Sequence, residues 1–447
     1  MNTSRHVSAL ARKYANTKRL KDKIRHKKRF LIFLHFFSSV VEYYDFFTFT
    51  FIFFYLIGKF SHQTIEVYGI TIISLTSFLF RPLGYRMQIW LTRYYSRKTI
   101  IFINGIMMTV SIIIPGLITG MESSPWLTCG IILISRILNG ISFGIKLQSN
   151  VTYIKYFFPK RLHYAIANST LGAQFGLTLS IFITHLLSAH LSVEELNLGW
   201  RIPFFIGGIL SLILFIMRIA TYSRLKSLTD KAIYTPLDKI AFHAGRNLWL
   251  GLLVSSAKAC LTFTVFVSIP SILGWTLKFD ITYITQIMFI ATILSTFTSW
   301  CFKHYFNPPR LIAINFALIC TLILTVILGY AILHDNRTGI SISICALAIL
   351  NGYLFITVPE LIECTLPERV KFESMLFINN YEYFHFNVIR RLGMFIALLI
   401  LGTNLNTTYF IGVLIGSIWI TIIPSILAVM SFYTQNKNVS VNSDKLT

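Results

Sequence analysis

The sequence predicts an all-α membrane protein of twelve transmembrane helices in two six-helix halves. Three observations carry that prediction. The 447 residues are 55% hydrophobic with a mean hydropathy of +0.66, more apolar surface than a soluble fold could hide. Twelve apolar runs follow one another from Arg29 onward, each near the length a bilayer demands. The connecting segments alternate between basic and nearly uncharged.

The expected spans are 30–57, 67–90, 100–119, 127–154, 165–190, 202–219, 247–274, 282–302, 311–332, 340–358, 373–402 and 409–432. Lipid offers no partner for backbone N–H and C=O groups, so runs this apolar read as helices. The short connections leave no room for a separate soluble domain.

Loop charge sets the orientation. Residues 1–29 form a basic tail, with eleven Lys and Arg against Asp22 alone. Loops 91–99, 155–164, 219–246 and 303–310 are also basic; the intervening loops carry one Lys or Arg at most. Under the positive-inside rule both tails lie in the cytoplasm, which requires an even number of spans. The longest loop, 220–246, separates a first half, 30–219, from a second, 247–432, and 433–447 is the C-terminal tail. Two repeats around a central cavity are a layout of transporters.

The net charge of +23 sits in the tails and alternate loops, so it speaks for anionic lipid rather than nucleic acid. The six cysteines form no CxxC pair, and neither a disulfide framework nor a metal site is expected. No cofactor is implied. No HExxH run appears and the histidines are scattered, which argues against a membrane-embedded enzyme.

Charged groups inside spans are costly and usually face a wet cavity and a partner. Span one carries two, in Val41-Glu42-Tyr43-Tyr44-Asp45-Phe46. Three apart, Glu42 and Asp45 share one helix face. They are read as proton acceptors or substrate contacts, with a structural ion pair as the alternative. Tyr43 and Tyr44 are candidate aromatic contacts, the most promising among 39 Phe and 21 Tyr. Arg136 in span four is a further charge inside a span, and the family resemblance given below implies either a structural role or one in proton coupling. Lys146 lies at a depth similar to Glu42, at ~1.5 Å rise per residue, and either pairs with it or snorkels. Lys258, Arg390 and Arg391 are further cavity cations, and Lys258 is a candidate partner for Glu382. Arg81 and Arg86 are expected to snorkel or face the loop.

Five stretches together resemble the metabolite:proton symporter branch of the major facilitator superfamily, which includes proline/betaine, 2-oxoglutarate, citrate and shikimate carriers. Val41 to Phe46 resembles that branch's first-span Glu-Trp/Tyr-Tyr-Asp-Phe run. Arg81-Pro82-Leu83-Gly84 with Arg97-Lys98 resembles the end of span two and its gating loop. Arg136-Ile137-Leu138-Asn139-Gly140 resembles the span-four Arg-x-x-Gln-Gly motif, and Gly199-Trp200-Arg201-Ile202-Pro203-Phe204 the entry to span six. Pro359-Glu360-Leu361, then Pro367-Glu368-Arg369-Val370-Lys371-Phe372 and Asn380, resemble the join between spans ten and eleven. Each is weak alone; five in order are strong.

Three departures matter. Thr92-Arg93-Tyr94-Tyr95-Ser96-Arg97-Lys98 stands where the family reads Gly-Asp-Arg-x-Gly-Arg-Lys, so the aspartate latch is gone. Lys146 stands where the branch carries Glu, and span eleven reads Phe386-Asn387-Val388 before Arg390-Arg391.

The resemblance implies proton symport of a small polar metabolite, a proline/betaine-like osmolyte or a carboxylate, by alternating access. The expected partners are the solute, protons and membrane lipids. A monomer in a bacterial inner membrane is expected. The altered loop and Lys146 keep a second reading open, a degenerate member that binds or senses a solute. The residues do not choose the substrate.

Overall fold

The structure is a computed structural model. It describes residues 29–52, 76–77, 79–118, 125–157, 162–191, 199–222, 237–275, 277, 279–305, 311–367, 370–383, 415–416 and 418–432, with backbone alone at 97–98, 125–126, 146–157, 162–165, 222, 237–242, 275, 305, 372 and 383.

Each expected span contains a described helix. They are α1 (Arg29–Ile52), α2 (Arg81–Tyr94), α3 (Arg97–Leu117), α4 (Pro125–Phe157), α5 (Leu162–His190) and α6 (Ile202–Tyr222) in the first half. The second half begins with α7, which runs Leu237–Phe263, through a π-helical turn Thr264–Ser268, to Ile269–Trp275. It continues with α8 (Ile281–Tyr305), α9 (Leu311–Leu333), α10 (Arg337–Thr365), α11 (Lys371–Tyr383) and α12 (Ile418–Phe432).

Several helices outrun their apolar windows because polar residues cap them. The Ser96 side chain accepts the Thr99 N–H and starts α3; Asn336 accepts the Gly339 N–H and starts α10. One difference is at Pro359, expected in a loop. There α10 continues through the proline to Thr365. Only the ladder bond of one missing N–H is forfeited, and the helix on both sides is packed. Gly245 breaks α7 the other way. Its φ of 52° and ψ of −133° are non-helical, a backbone state open to glycine.

The two halves repeat one packing plan, offset by six helices. In the first, α4 packs on α2 and α3; in the second, α10 packs on α8 and α9. The α5 contacts with α8 and α10 are mirrored by α11 against α2 and α4. This is the signature of two repeats about a two-fold axis.

Backbone-to-backbone contact makes these seams close. A Cβ on Gly84 would lie 2.2 Å from the Ile141 carbonyl oxygen, and on Gly144 2.3 Å from that of Arg81. Across α8 and α10, a Cβ on Gly352 would lie 2.2 Å from the Ser295 oxygen.

Burial separates inner from outer helices. In α7, 94% of the apolar window is buried, against 33% in α9. One stripe of α9 stands exposed, at Ile312, Phe316, Ile319, Ile323, Val326, Ile327 and Tyr330. Their spacing of three and four gives one continuous apolar face, which suits lipid and would aggregate in water.

Candidate functional site

Among the described residues, two acid–cation pairs lie inside the helix bundle. The first joins α1 to α4. Arg136 is the central residue of the apolar stretch Leu127–Ile145, and its Nη1 is 3.5 Å from Asp45 Oδ2. The Asn139 side-chain amide, about one turn along α4, donates to the same oxygen at 2.5 Å. The other guanidinium nitrogen, Nη2, donates to the Ser111 carbonyl on α3 at 3.3 Å and to Ser135 Oγ at 3.2 Å. The Phe49 ring covers the guanidinium at 4.2 Å. Both side chains are at most 1% exposed. Among the described residues, Asp45 Oδ1 has no hydrogen-bond partner.

The second pair joins α7 to α11. Lys258 lies at the centre of the stretch His243–Gly274. Its Nζ is 3.2 Å from Glu382 Oε1 and 3.0 Å from Oε2. Ser255 Oγ, on the same α7 face, also donates to Glu382 Oε2. The Lys258 ammonium stands 5.3 Å from the centre of the Phe355 ring on α10.

Aromatic rings connect the two halves. Tyr43 of α1 meets Phe143 of α4 at 6.4 Å and Phe355 at 6.0 Å, the latter edge to face. Cations lie over the outer two rings: Arg81 at 3.5 Å from Phe143 and Lys258 over Phe355. Such contacts contribute ~0.5–2 kcal/mol each when desolvated. Nearby, α1 packs Phe46 on Phe263 at 5.7 Å and Phe47 on Phe266 at 6.3 Å. Phe266 belongs to the buried π-helical turn of α7, and such turns recur at functional sites.

A polar seam also crosses the halves. Thr178 and Thr296 share a hydrogen bond at 2.9 Å between α5 and α8. Ser295 donates to Gln174, Asn351 to Ser295, and Thr262 to Asn351. Four helices are thereby linked, ending one turn beyond Lys258.

The expected site residues therefore part company. Glu42 and Asp45 are both buried, and Asp45 finds Arg136. Tyr43 reaches the seam between halves. Tyr44 does not: its hydroxyl donates to the Pro203 carbonyl of α6 at 2.8 Å. One residue along a helix is a turn of ~100°, which carries it to the opposite wall. Arg81, expected to snorkel or face the loop, is 4% exposed and stacked on Phe143; Arg86 is exposed as expected. Gly84 makes the close α2–α4 contact given above. Arg97 and Lys98 begin α3, with side chains outside the described set, as is the side chain of Lys146 within α4. Arg390 and Arg391 lie outside the described residues altogether. The sequence reading missed Phe355, Phe143, Asn351 and the α5–α8 threonines. No charge marks them, and their role arises only when helices distant in sequence meet.

Comparison with known proteins fits this geometry. A family model for the Major Facilitator Superfamily matches residues 20–377, well over half the chain. The chain belongs to the Major Facilitator Superfamily. It is an integral, multi-pass membrane protein with that superfamily's twelve-helix fold. Among curated members, a putative proline/betaine transporter of Staphylococcus haemolyticus is 28% identical over 238 residues, 49% of this chain and 49% of that protein. A citrate-proton symporter of Salmonella typhi is 25% identical over 192 residues, 40% and 43% of the two chains. The match thus spans about half the length of these relatives or less. Among solved superfamily structures, a D-xylose-proton symporter superposes with a TM-score of 0.70 at 13% identity, covering 90% of this chain and 97% of that one. At that identity the likeness speaks for the fold alone.

Proposed function

We propose that this chain is a secondary active transporter that carries a small polar solute together with protons, by alternating access of its two halves around the paired charges. The observation that carries the reading is Asp45. It is buried mid-membrane, with Oδ2 held by Arg136 and Asn139 and Oδ1 without a hydrogen-bond partner among the described residues. A proton can join Oδ1 without breaking a bond already made, and its arrival loosens the hold on Arg136. Because Arg136 also binds α3, that loosening reaches three helices.

The relatives' names support a solute class. Proline, betaine and citrate all bear a carboxylate, which suits the buried cations Arg136 and Lys258. We read the solute as a proline/betaine-like osmolyte or a carboxylate. The bacterial relatives support placement in an inner membrane.

The test is uptake by the purified chain in proteoliposomes under an imposed proton gradient. Labelled betaine, proline or citrate should accumulate, and a protonophore should abolish accumulation. Binding without accumulation would instead favour a solute-binding sensor, the reading the lost loop aspartate left open.

A further inference from the structure

We propose that Lys258 and Glu382 form a zwitterion clamp: a solute bearing both a carboxylate and a cationic nitrogen opens their ion pair, its carboxylate taking Lys258 and its nitrogen taking Glu382. This deepens the transporter reading above and rests on it.

The pair has the properties an exchangeable site needs. It sits mid-membrane on α7 and α11, and its side chains are 5% and 3% exposed. A buried ion pair is a weak source of stability, because desolvation offsets attraction. Ionised groups at this depth generally serve a path or a ligand. Lys258 is a point charge whose one charged contact among the described residues is Glu382, so a single exchange releases it. Glu382 keeps the Ser255 hydroxyl when Lys258 turns away.

Charge accounting selects the solute. Opening the pair exposes one positive and one negative group in a low-dielectric place. A zwitterion answers both. A di- or tricarboxylate would satisfy Lys258 and leave Glu382 opposite a second anion, which is costly there. The Phe355 face already accommodates one cation, and it offers the solute's nitrogen a second attractive surface. Tyr43 packs edge to face on that same ring. The clamp is therefore in contact with α1 of the other half, and filling it is felt across the seam.

The experiment is equilibrium binding to the full chain purified in detergent, with no gradient, using labelled glycine betaine, proline and citrate. Betaine or proline should bind in preference to citrate. Lys258→Met and Glu382→Gln should each weaken that binding about tenfold or more, the worth of a charged hydrogen bond. The double variant removes both charges, so it should keep near-normal abundance and still fail to bind. Wild-type affinity in any of the three overturns the proposal, as does citrate binding in preference to the zwitterions, or no binding of any of the three solutes. If even the double variant is lost from the membrane, the pair is a structural tie and the clamp falls. A chain that binds zwitterions yet never accumulates them sinks the symport reading alone.

Discussion

Among the described residues, each half buries one acid–cation pair at mid-membrane, and the two are built from different cations. In the first half, Arg136 spreads its guanidinium over Asp45 on α1, the Ser111 carbonyl on α3 and Ser135 on its own helix. In the second, Lys258 places its ammonium against Glu382, with a ring behind it. A guanidinium stays charged and holds several acceptors in a fixed plane, whereas an ammonium on a flexible stem is easily redirected. The first pair ties three helices at once, so disturbing it disturbs the half. The second ties two, so it can open while the half stays intact. The same two kinds of charge thus give a latch on one side and an exchangeable contact on the other.

That contrast is broken most directly by removing each cation's role. Arg136→Leu leaves Asp45 buried without its counter-charge, and the loss should be ~3–5 kcal/mol, read as thermal unfolding of the purified protein. Arg136→Lys should recover only part of it, because one ammonium cannot reach both α1 and α3 acceptors. Lys258→Arg should be far milder in stability. Equal responses to the two exchanges would erase the distinction between the pairs.

A smaller effect sharpens the comparison of the halves as packed bodies. Gly144 lies against the Arg81 carbonyl in the α2–α4 seam, and Gly352 against the Ser295 carbonyl in the α8–α10 seam. Gly144→Ala and Gly352→Ala should each cost ~1–3 kcal/mol, since backbone must shift to admit a methyl group. Matching losses in melting temperature are expected. A silent Gly352→Ala would mean that the second half does not repeat the first at this seam.

Much of the fold was legible in the sequence, because membrane spans are written as continuous apolar length and the runs needed no tertiary knowledge. The ends were less legible. Ser96 and Asn336 are polar, so a hydropathy window excludes them although they cap helices; Pro359 reads as a stop although α10 passes through it. At the site, charge inside a span singled out Glu42, Asp45, Arg136 and Lys258, and offered Glu382 as a candidate partner for Lys258 but no named partner for Asp45. The Asp45–Arg136 contact spans 91 positions and the Lys258–Glu382 contact 124, and no local pattern encodes such a meeting. Tyr44 and Arg81 failed for a related reason: orientation about a helix axis is decided by neighbours. The ring relay through Phe143 and Phe355 was invisible among so many aromatic residues.

In the proposed mechanism Asp45 receives the proton that drives the cycle. This step is tested by Asp45→Asn in proteoliposomes, with solute exchange and gradient-driven uptake measured on the same preparation. The amide keeps the shape and a contact for Arg136 but cannot cycle a proton. Exchange of labelled for unlabelled solute should persist while net accumulation disappears. Accumulation at the wild-type level, or loss of exchange together with uptake at normal abundance, would contradict it.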